Sequence, residues 1–444
     1  MRFVPVTDAQ RETMLRAVGV SSVDELFSDI PECVRLGREL DIPGGLSEMD
    51  LAGHLDGLAR ANAHTGELVS FLGAGCYDHY IPSIVDHVLR KPEFFTAYTP
   101  YQPEVSQGTL QAIYEFQSMV CSLTGMDVAN ASMYDGATAF VEAAYLAVHQ
   151  TKRSRVVVSA SVHPEWRETL RTYARAGLLE VVEAPTLDGV TDVAALRGLA
   201  ADAAAVMIAD PNFYGCLEDV RAIREVAAEV GALLVVAVSP ILLGVLEPPS
   251  AYGADVVVAE GQPLGNAMSY GGPGLGMFSC RDEYLRRMPG RIVGRTVDAD
   301  GATAFVLTMQ TREQHIRREK ATSNICSNHA LNALAASVYL SCMGAGGLRD
   351  VGEACIAKAH RLHDALIATG RFEDVFAAPF AHEFALRYFG DVVSMRSAMF
   401  ERGFVAGLDL GRFEDVVSDC VLFAVTERRT ESEIDAFTQA VSSL

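Results

Sequence analysis

Between Arg155 and Ser279 the chain switches repeatedly between two hydrophobic periods, and few folds accept that pattern. Arg155-Val-Val-Val-Ser-Ala, Leu179-Glu-Val-Val, Ala204-Ala-Val-Met-Ile-Ala, Ala232-Leu-Leu-Val-Val-Ala-Val, Asp255-Val-Val-Val-Ala and Gly276-Met-Phe-Ser are short apolar runs rich in β-branched residues. Such runs are strands buried on both faces. Amphipathic stretches at 164–176, near 193–199 and at 217–230 separate them as helices. Strand and helix in turn predict an α/β fold with a largely parallel sheet covered on both sides. Ligands of such sheets sit beyond the carboxyl ends of the strands. His163, Asp210, Asn212, Ser239 and the loop after Ala259 are expected to gather there.

That loop, Glu260-Gly-Gln-Pro-Leu-Gly-Asn-Ala-Met-Ser-Tyr-Gly-Gly-Pro-Gly274, is rich in glycine, so its backbone can turn tightly and approach a ligand closely. Its layout is similar to the cofactor loop of pyridoxal-phosphate (PLP) enzymes of the aspartate-aminotransferase type, fold type I. There a lysine at the strand end binds the cofactor as a Schiff base. Here no lysine stands between Glu260 and Gly274, and Gln262 and Pro263 have no amine. The whole chain has four lysines, Lys91, Lys152, Lys320 and Lys358, of which Lys320 alone lies in a functional-looking loop. The preceding strand ends in Ala237-Val-Ser-Pro240, without the aspartate that such enzymes place beside the pyridine nitrogen; Asp210 lies one strand earlier. Gly136, Ala137 and Thr138, opening a helix at 139–148, are the candidate backbone donors for a phosphate. The expectation is a cofactor-binding fold without the covalent anchor.

The flanks are less regular. Residues 1–65 read as a helical arm, with capping boxes at Thr7/Gln10 and Ser22/Glu25 and a weaker one at Ser47/Asp50. The main α/β domain is expected over 66–325 and a small C-terminal α+β domain over 326–444, with strands at 384–387 and 421–425. Segment 98–108 reads as a stiff loop with polar tips, followed by a helix over 109–123 that stops at Gly125. Dense alternating charge follows at 310–320, where Thr322, Ser323, Asn324 and Asn328 look like a polar clasp ahead of a helix over 329–340. The formal charge of −21 argues against nucleic acid or an anionic membrane surface as partner. Nine scattered cysteines without a C-x-x-C pair predict reduced, mostly buried thiols, no disulfide framework and no metal site. The N-terminus has neither a signal nor a transit pattern, and no apolar run reaches a membrane-spanning length, so the expected location is cytoplasmic.

Four runs carry a resemblance that covers nearly the whole chain: 73–82 (Gly-Ala-Gly-Cys-Tyr-Asp-His-Tyr-Ile-Pro), 98–108 (Tyr-Thr-Pro-Tyr-Gln-Pro-Glu-Val-Ser-Gln-Gly), 260–265 (Glu-Gly-Gln-Pro-Leu-Gly) and 317–326 (Arg-Arg-Glu-Lys-Ala-Thr-Ser-Asn-Ile-Cys). In these the sequence resembles the P-protein family of the glycine cleavage system, glycine dehydrogenase (decarboxylating), and within it the lysine-free α type. The resemblance implies decarboxylation of glycine and transfer of the aminomethyl group to the lipoyl arm of the H-protein. It also implies an α2β2 assembly in which a partner β subunit holds PLP covalently. This chain would contribute no catalytic lysine. It would contribute pocket or interface residues, with His79, Tyr98, Thr99, Tyr101, Glu104, Gln107, Asn324 and Asn328 as candidates, and with Glu104 pairing with an arginine or holding a neighbouring hydroxyl. Two alternatives stand beside this: a self-sufficient PLP aminotransferase or decarboxylase using a lysine such as Lys320, and a non-enzymatic scaffold.

Overall fold

Valine-rich runs make the central strands, and their burial is what fixes them in place. In the computed structural model, which describes residues 5–321, 323–413 and 419–444, a seven-stranded sheet is formed by β1 (Val128–Ala129), β2 (Arg155–Ser159), β3 (Glu180–Ala184), β4 (Ala203–Asp210), β5 (Leu233–Val238), β6 (Val256–Glu260) and β7 (Gly276–Cys280). The order across the sheet is β1-β7-β6-β5-β4-β2-β3. Strands β2 to β6 run parallel to one another, and β7 runs antiparallel to both β6 and β1. Alternate residues of one strand feed two separate cores: Val157, Val206 and Val257 face one layer, Val156, Met207 and Val258 the other. This is the α/β architecture expected, with the carboxyl ends of β2, β4, β5 and β6 on one edge.

The chain falls into two units, Met1–Ala63 and His64–Leu444. In the first, helices Asp8–Val18 and Glu48–Arg60 carry the caps read from sequence at Thr7 and Ser47. The box at Ser22 opens only a short 3-10 turn, although Ser22 Oγ does accept the Glu25 N–H. None of the described residues of this arm is buried.

Three further elements depart from expectation. Ile292–Val297 (β8) and Thr303–Thr308 (β9) form an antiparallel hairpin in a stretch to which the sequence reading assigned no strand. Asp298 builds its turn, its carboxylate accepting the N–H groups of Asp300 and Ala302. The helix expected to end at 340 continues as Ala330–Ala368, broken only at Gly344, whose φ of 60° interrupts the helical geometry. By length and composition this helix is apolar enough to cross a membrane, contrary to the reading that no such run exists. Its apolar residues Ala333, Ala336, Tyr339 and Cys355 instead belong to one of the two sheet cores. Finally, four rather than most of the nine cysteines are buried. The C-terminal sheet, which includes Glu383–Tyr388 and Cys420–Ala424, shares its core with Phe71.

Candidate functional site

The edge formed by the strand ends has a carboxylate at its centre. Helix Gly136–Thr151 starts directly beside the end of β6, and Asp135 caps it by accepting the Thr138 N–H at 2.7 Å. Glu260 supplies the second acceptor. Its Oε2 takes the Gly136 N–H at 2.9 Å, and its Oε1 takes those of Leu275 at 2.8 Å and Gln262 at 2.9 Å. One side chain thus joins the helix start, the loop and β7. Burial raises the Glu260 pKa, and the three N–H donors work against that rise. Gly136 is required here: a Cβ would lie 2.3 Å from the Trp166 ring.

Where the family lysine would stand, Gln262 makes a different set of bonds. Its Oε1 accepts the Tyr77 N–H at 3.0 Å, and its Nε2 donates to the carbonyls of Asn266 at 2.7 Å and Tyr77 at 3.2 Å. The irregular 71–82 segment is stitched to the strand end in this way. Tyr77 donates its hydroxyl to Glu383 at 2.6 Å, and Glu383 also accepts the Ala74 N–H at 2.7 Å. Burial pushes the Glu383 pKa up to about 7. His163 contacts the Ala74 carbonyl through Nε2 and accepts the Glu165 N–H at Nδ1, which fixes a neutral ring with the proton on Nε2. His382 is pushed down to about 3 by burial and by neighbouring His79. His163, Tyr77, His382 and Glu383 line a cavity of about 90 Å³ together with Trp166, Pro211, Phe213, Pro240 and Pro263; among the described residues no lysine or arginine lines it. His163, Asn212, Ser239 and Glu260 meet there as expected, whereas Asp210 turns aside to accept the Glu218 N–H at 3.0 Å.

A second cleft lies around Arg291. This buried guanidinium donates through Nη1 to Thr99 Oγ1 at 3.2 Å, and through Nη2 to the Tyr101 hydroxyl at 3.1 Å and the Cys326 carbonyl at 2.7 Å. It also lies over the Tyr101 ring, 5.4 Å from its centroid. Its Nε has no hydrogen-bond partner, although the Glu313 carboxylate is 3.8 Å away. Tyr98, Thr99, Asn328 and Arg291 line a cavity of about 230 Å³. Gln107 holds the hairpin from below, bonding both the N–H and the carbonyl of Phe305.

The candidates read from sequence therefore separate. Tyr98, Thr99, Tyr101 and Asn328 come together on Arg291 and its cavity, and Gln107 supports them. His79 is buried elsewhere, its Nδ1 2.6 Å from Glu427 Oε2. Glu427 and Cys355 share that cluster, their ligand-type atoms and that of His79 lying within 4.8 Å of one another. Glu104 and Asn324 are exposed in this chain. In the proposed clasp, Ser323 bonds Glu142 and Asn328 bonds the Ala131 carbonyl, while Thr322 lies outside the described residues. Arg291, Gln117, Glu383 and Glu427 were not singled out by sequence reading; Arg291 sits between Gly290 and Ile292 in a run with no chemical signature.

A family model described as the glycine cleavage system P-protein matches residues 1–441. The chain belongs to that family. It is 51% identical over 445 residues to a Moorella thermoacetica protein described as glycine dehydrogenase (decarboxylating) subunit 1, covering all of both chains. It is 51% identical over 446 residues to a Chlorobium luteolum protein of the same description, again over all of both. A crystal structure of glycine decarboxylase (P-protein) in inhibitor-bound form superposes with a TM-score of 0.91 at 40% identity, over the full length of both chains. A Burkholderia pseudomallei sphingosine-1-phosphate lyase shares the fold alone, with a TM-score of 0.68 at 17% identity over 93% of this chain and 94% of that one.

PLP is the cofactor that this fold implies, and the strand-end residues of this chain do not fit it. The position for the imine-forming amine is an amide already committed to three hydrogen bonds. The helix start is shared between Asp135 and Glu260. The cavity beside it offers acceptors and apolar walls but no cationic side chain for a phosphate.

Proposed function

We propose that this chain is the lysine-free subunit of a heteromeric glycine-decarboxylating P-protein, and that a homologous, lysine-bearing partner subunit holds the PLP. The observation that carries the reading is Gln262, wired to Tyr77 and Asn266 at the end of β6 where the anchoring amine belongs. In this reading the chain's part is to shape and wall the partner's site. Arg291 positions Thr99 and Tyr101, and Gln107 and Gln117 lock the hairpin beneath them. Glycine is the substrate, and the lipoyl arm of the H-protein is the acceptor of the aminomethyl group. The location is the cytoplasm, and the assembly is α2β2, with 66–325 and 326–444 acting as the larger and smaller domains.

An obligate partner accounts for the arm. Met14, Leu26, Phe27, Val34, Leu55 and Leu58 are all exposed, and obligate interfaces are where large apolar side chains of that kind are covered. The test is co-expression with a lysine-bearing P-protein subunit, followed by light scattering, borohydride reduction and peptide mapping. A heterotetramer with pyridoxyl-lysine confined to the partner is expected. An adduct on Lys91, Lys152, Lys320 or Lys358, or full glycine decarboxylation by the partner alone, refutes the reading.

A further inference from the structure

The helix start beside the end of β6 has kept its donors and filled two of them from within. Helix Gly136–Thr151 is long enough for its first turn to concentrate partial positive charge. Anions collect at such termini because several backbone N–H groups point at one place. Glu260 reaches that place from the end of the neighbouring strand and takes up the Gly136 N–H, together with the Leu275 and Gln262 N–H groups that close the same corner. Asp135 takes the Thr138 N–H. Trp166 seals the outside of Gly136. A Cβ on Gly274 would come within 2.9 Å of Glu260 Oε2, so the loop is shaped around this carboxyl group.

We propose that Glu260 is a tethered stand-in for a phosphate: the anion site at this helix start persists, and the chain keeps it closed with its own side chain. The inference rests on the reading that this subunit holds no cofactor, and it adds the reason. Loss of a lysine alone leaves a site that still binds a phosphorylated ligand without a covalent bond. A carboxylate bonded to the same donors removes that residual affinity, because a phosphate has to displace Glu260 and then sit beside both Glu260 and Asp135 without a lysine or arginine to offset the charge. The closed site also keeps the cofactor from partitioning between two homologous subunits.

The test uses the full chain, with inorganic phosphate as the probe and chloride at equal ionic strength as the reference. In the wild type, Tm is expected to be the same in both salts. Glu260→Ala opens the corner; its Tm is expected to fall in chloride and to recover in part as phosphate is added, saturably, with sulfate acting alike. Glu260→Gln keeps the shape and an acceptor oxygen, and it is expected to show at most a tenth of the phosphate response of Glu260→Ala. If Glu260→Ala does not fold in chloride, Glu260→Ser, whose hydroxyl retains one acceptor for the Gly136 N–H, carries the same comparison. The inference is overturned if the alanine or serine variant responds to phosphate no more than the wild type, or if the wild type itself shows a saturable phosphate response. Neither result touches the lysine-free reading, which falls only if the wild-type chain yields a pyridoxyl-lysine.

Discussion

Glu260 and Arg291 are each largely withdrawn from water, each gathers three hydrogen bonds, and they leave their surroundings in opposite states. Around Glu260 all three partners are backbone N–H groups of this chain, drawn from a helix start, a loop and a strand. Around Arg291 the partners are Thr99, which lines the cavity, Tyr101 and the Cys326 carbonyl, and Nε has no hydrogen-bond partner among the described residues. Tyr98, on the rim, is 88% exposed. A carboxylate that satisfies backbone donors fixes the fold; an arginine that holds a threonine and a tyrosine hydroxyl and itself lines a cavity prepares a surface. The contrast predicts that damage at the first place appears as lost stability and damage at the second as lost turnover in the assembled enzyme.

The largest effect is expected at Glu260. Glu260→Ala leaves three N–H groups without their acceptor, at roughly 1–3 kcal/mol for each that stays dry, so a loss of about 3–9 kcal/mol is expected in urea unfolding of the chain if water reaches none of them. A loss below about 1 kcal/mol means that water replaces the carboxylate freely, and the corner is then not the keystone described.

Glu383 tests the same region through pH. Its folded pKa is about 7 against an ordinary value of 4.5, so the folded state holds the proton more tightly than the unfolded chain. That preference is fully present below pH 4.5, and it is lost as pH rises from there through about 7, so stability falls over that window and is level above it. The span corresponds to about 3 kcal/mol as an order of magnitude. Glu142, also pushed up to about 7 by burial, titrates over the same range. Glu383→Gln keeps an acceptor for Tyr77, and it is expected to make the fall in stability between pH 4.5 and 7 shallower by its own share, beside the shares of Glu142 and of Asp210, which burial pushes up to about 6. An unchanged slope overturns the assignment of that proton to Glu383.

On the other side of the comparison, Arg291→Met retains the apolar stem and removes every donor. The chain is expected to unfold within about 2 kcal/mol of wild type, because Thr99 and Tyr101 can turn to water. Glycine decarboxylation by the enzyme assembled with its partner is expected to fall about 10- to 100-fold through loss of positioning. Equal losses in free-chain stability and turnover remove the distinction between the two regions.

How much of this was legible beforehand follows the same division. Strands β2, β4, β5 and β6 could be read because a buried parallel strand must be apolar along most of its length, and the antiparallel β7 and the edge strand β3 through their shorter apolar runs; only the ends moved by a residue or two. The absent lysine could be read because an amine either is or is not in the sequence. The hairpin at Ile292–Val297 and Thr303–Thr308 was missed because it is held by side chains from far away: Gln107 bonds Phe305, and Gln117 bonds both the N–H and the carbonyl of Val293. A glutamine inside a helix gives no sign of the backbone it will clasp. Glu260 was visible as a residue but not as an anchor, since its role depends on a helix start 124 positions earlier in the chain. Glu104, an acidic residue among prolines and tyrosines, faces solvent in the single chain, so whatever it pairs with lies outside this chain's own contacts.

The smallest effects separate two tyrosines of the same loop. Pro100 and Pro103 restrict the backbone on either side of Tyr101, so the loop is stiff before any partner arrives. Tyr101 is half exposed and its hydroxyl accepts from Arg291, whereas the Tyr98 ring lies almost wholly in solvent at the edge of the cavity. Tyr101→Phe removes one charge-assisted hydrogen bond, and it is expected to cost the isolated chain about 1 kcal/mol. Tyr98→Phe changes nothing that this chain makes for itself, so its free-chain stability should match wild type within about 0.5 kcal/mol. If the cleft is completed by a partner, the ranking reverses on assembly. Tyr98→Phe then slows glycine turnover about 10-fold or more, as expected for a hydroxyl that finds its hydrogen bond only in the complex. Tyr101→Phe slows it less, because Arg291 still holds Thr99. Paired unfolding and turnover measurements on these two variants decide the matter, and if Tyr98→Phe turns over glycine at the wild-type rate in a normally assembled complex, its hydroxyl has no part in the shared site.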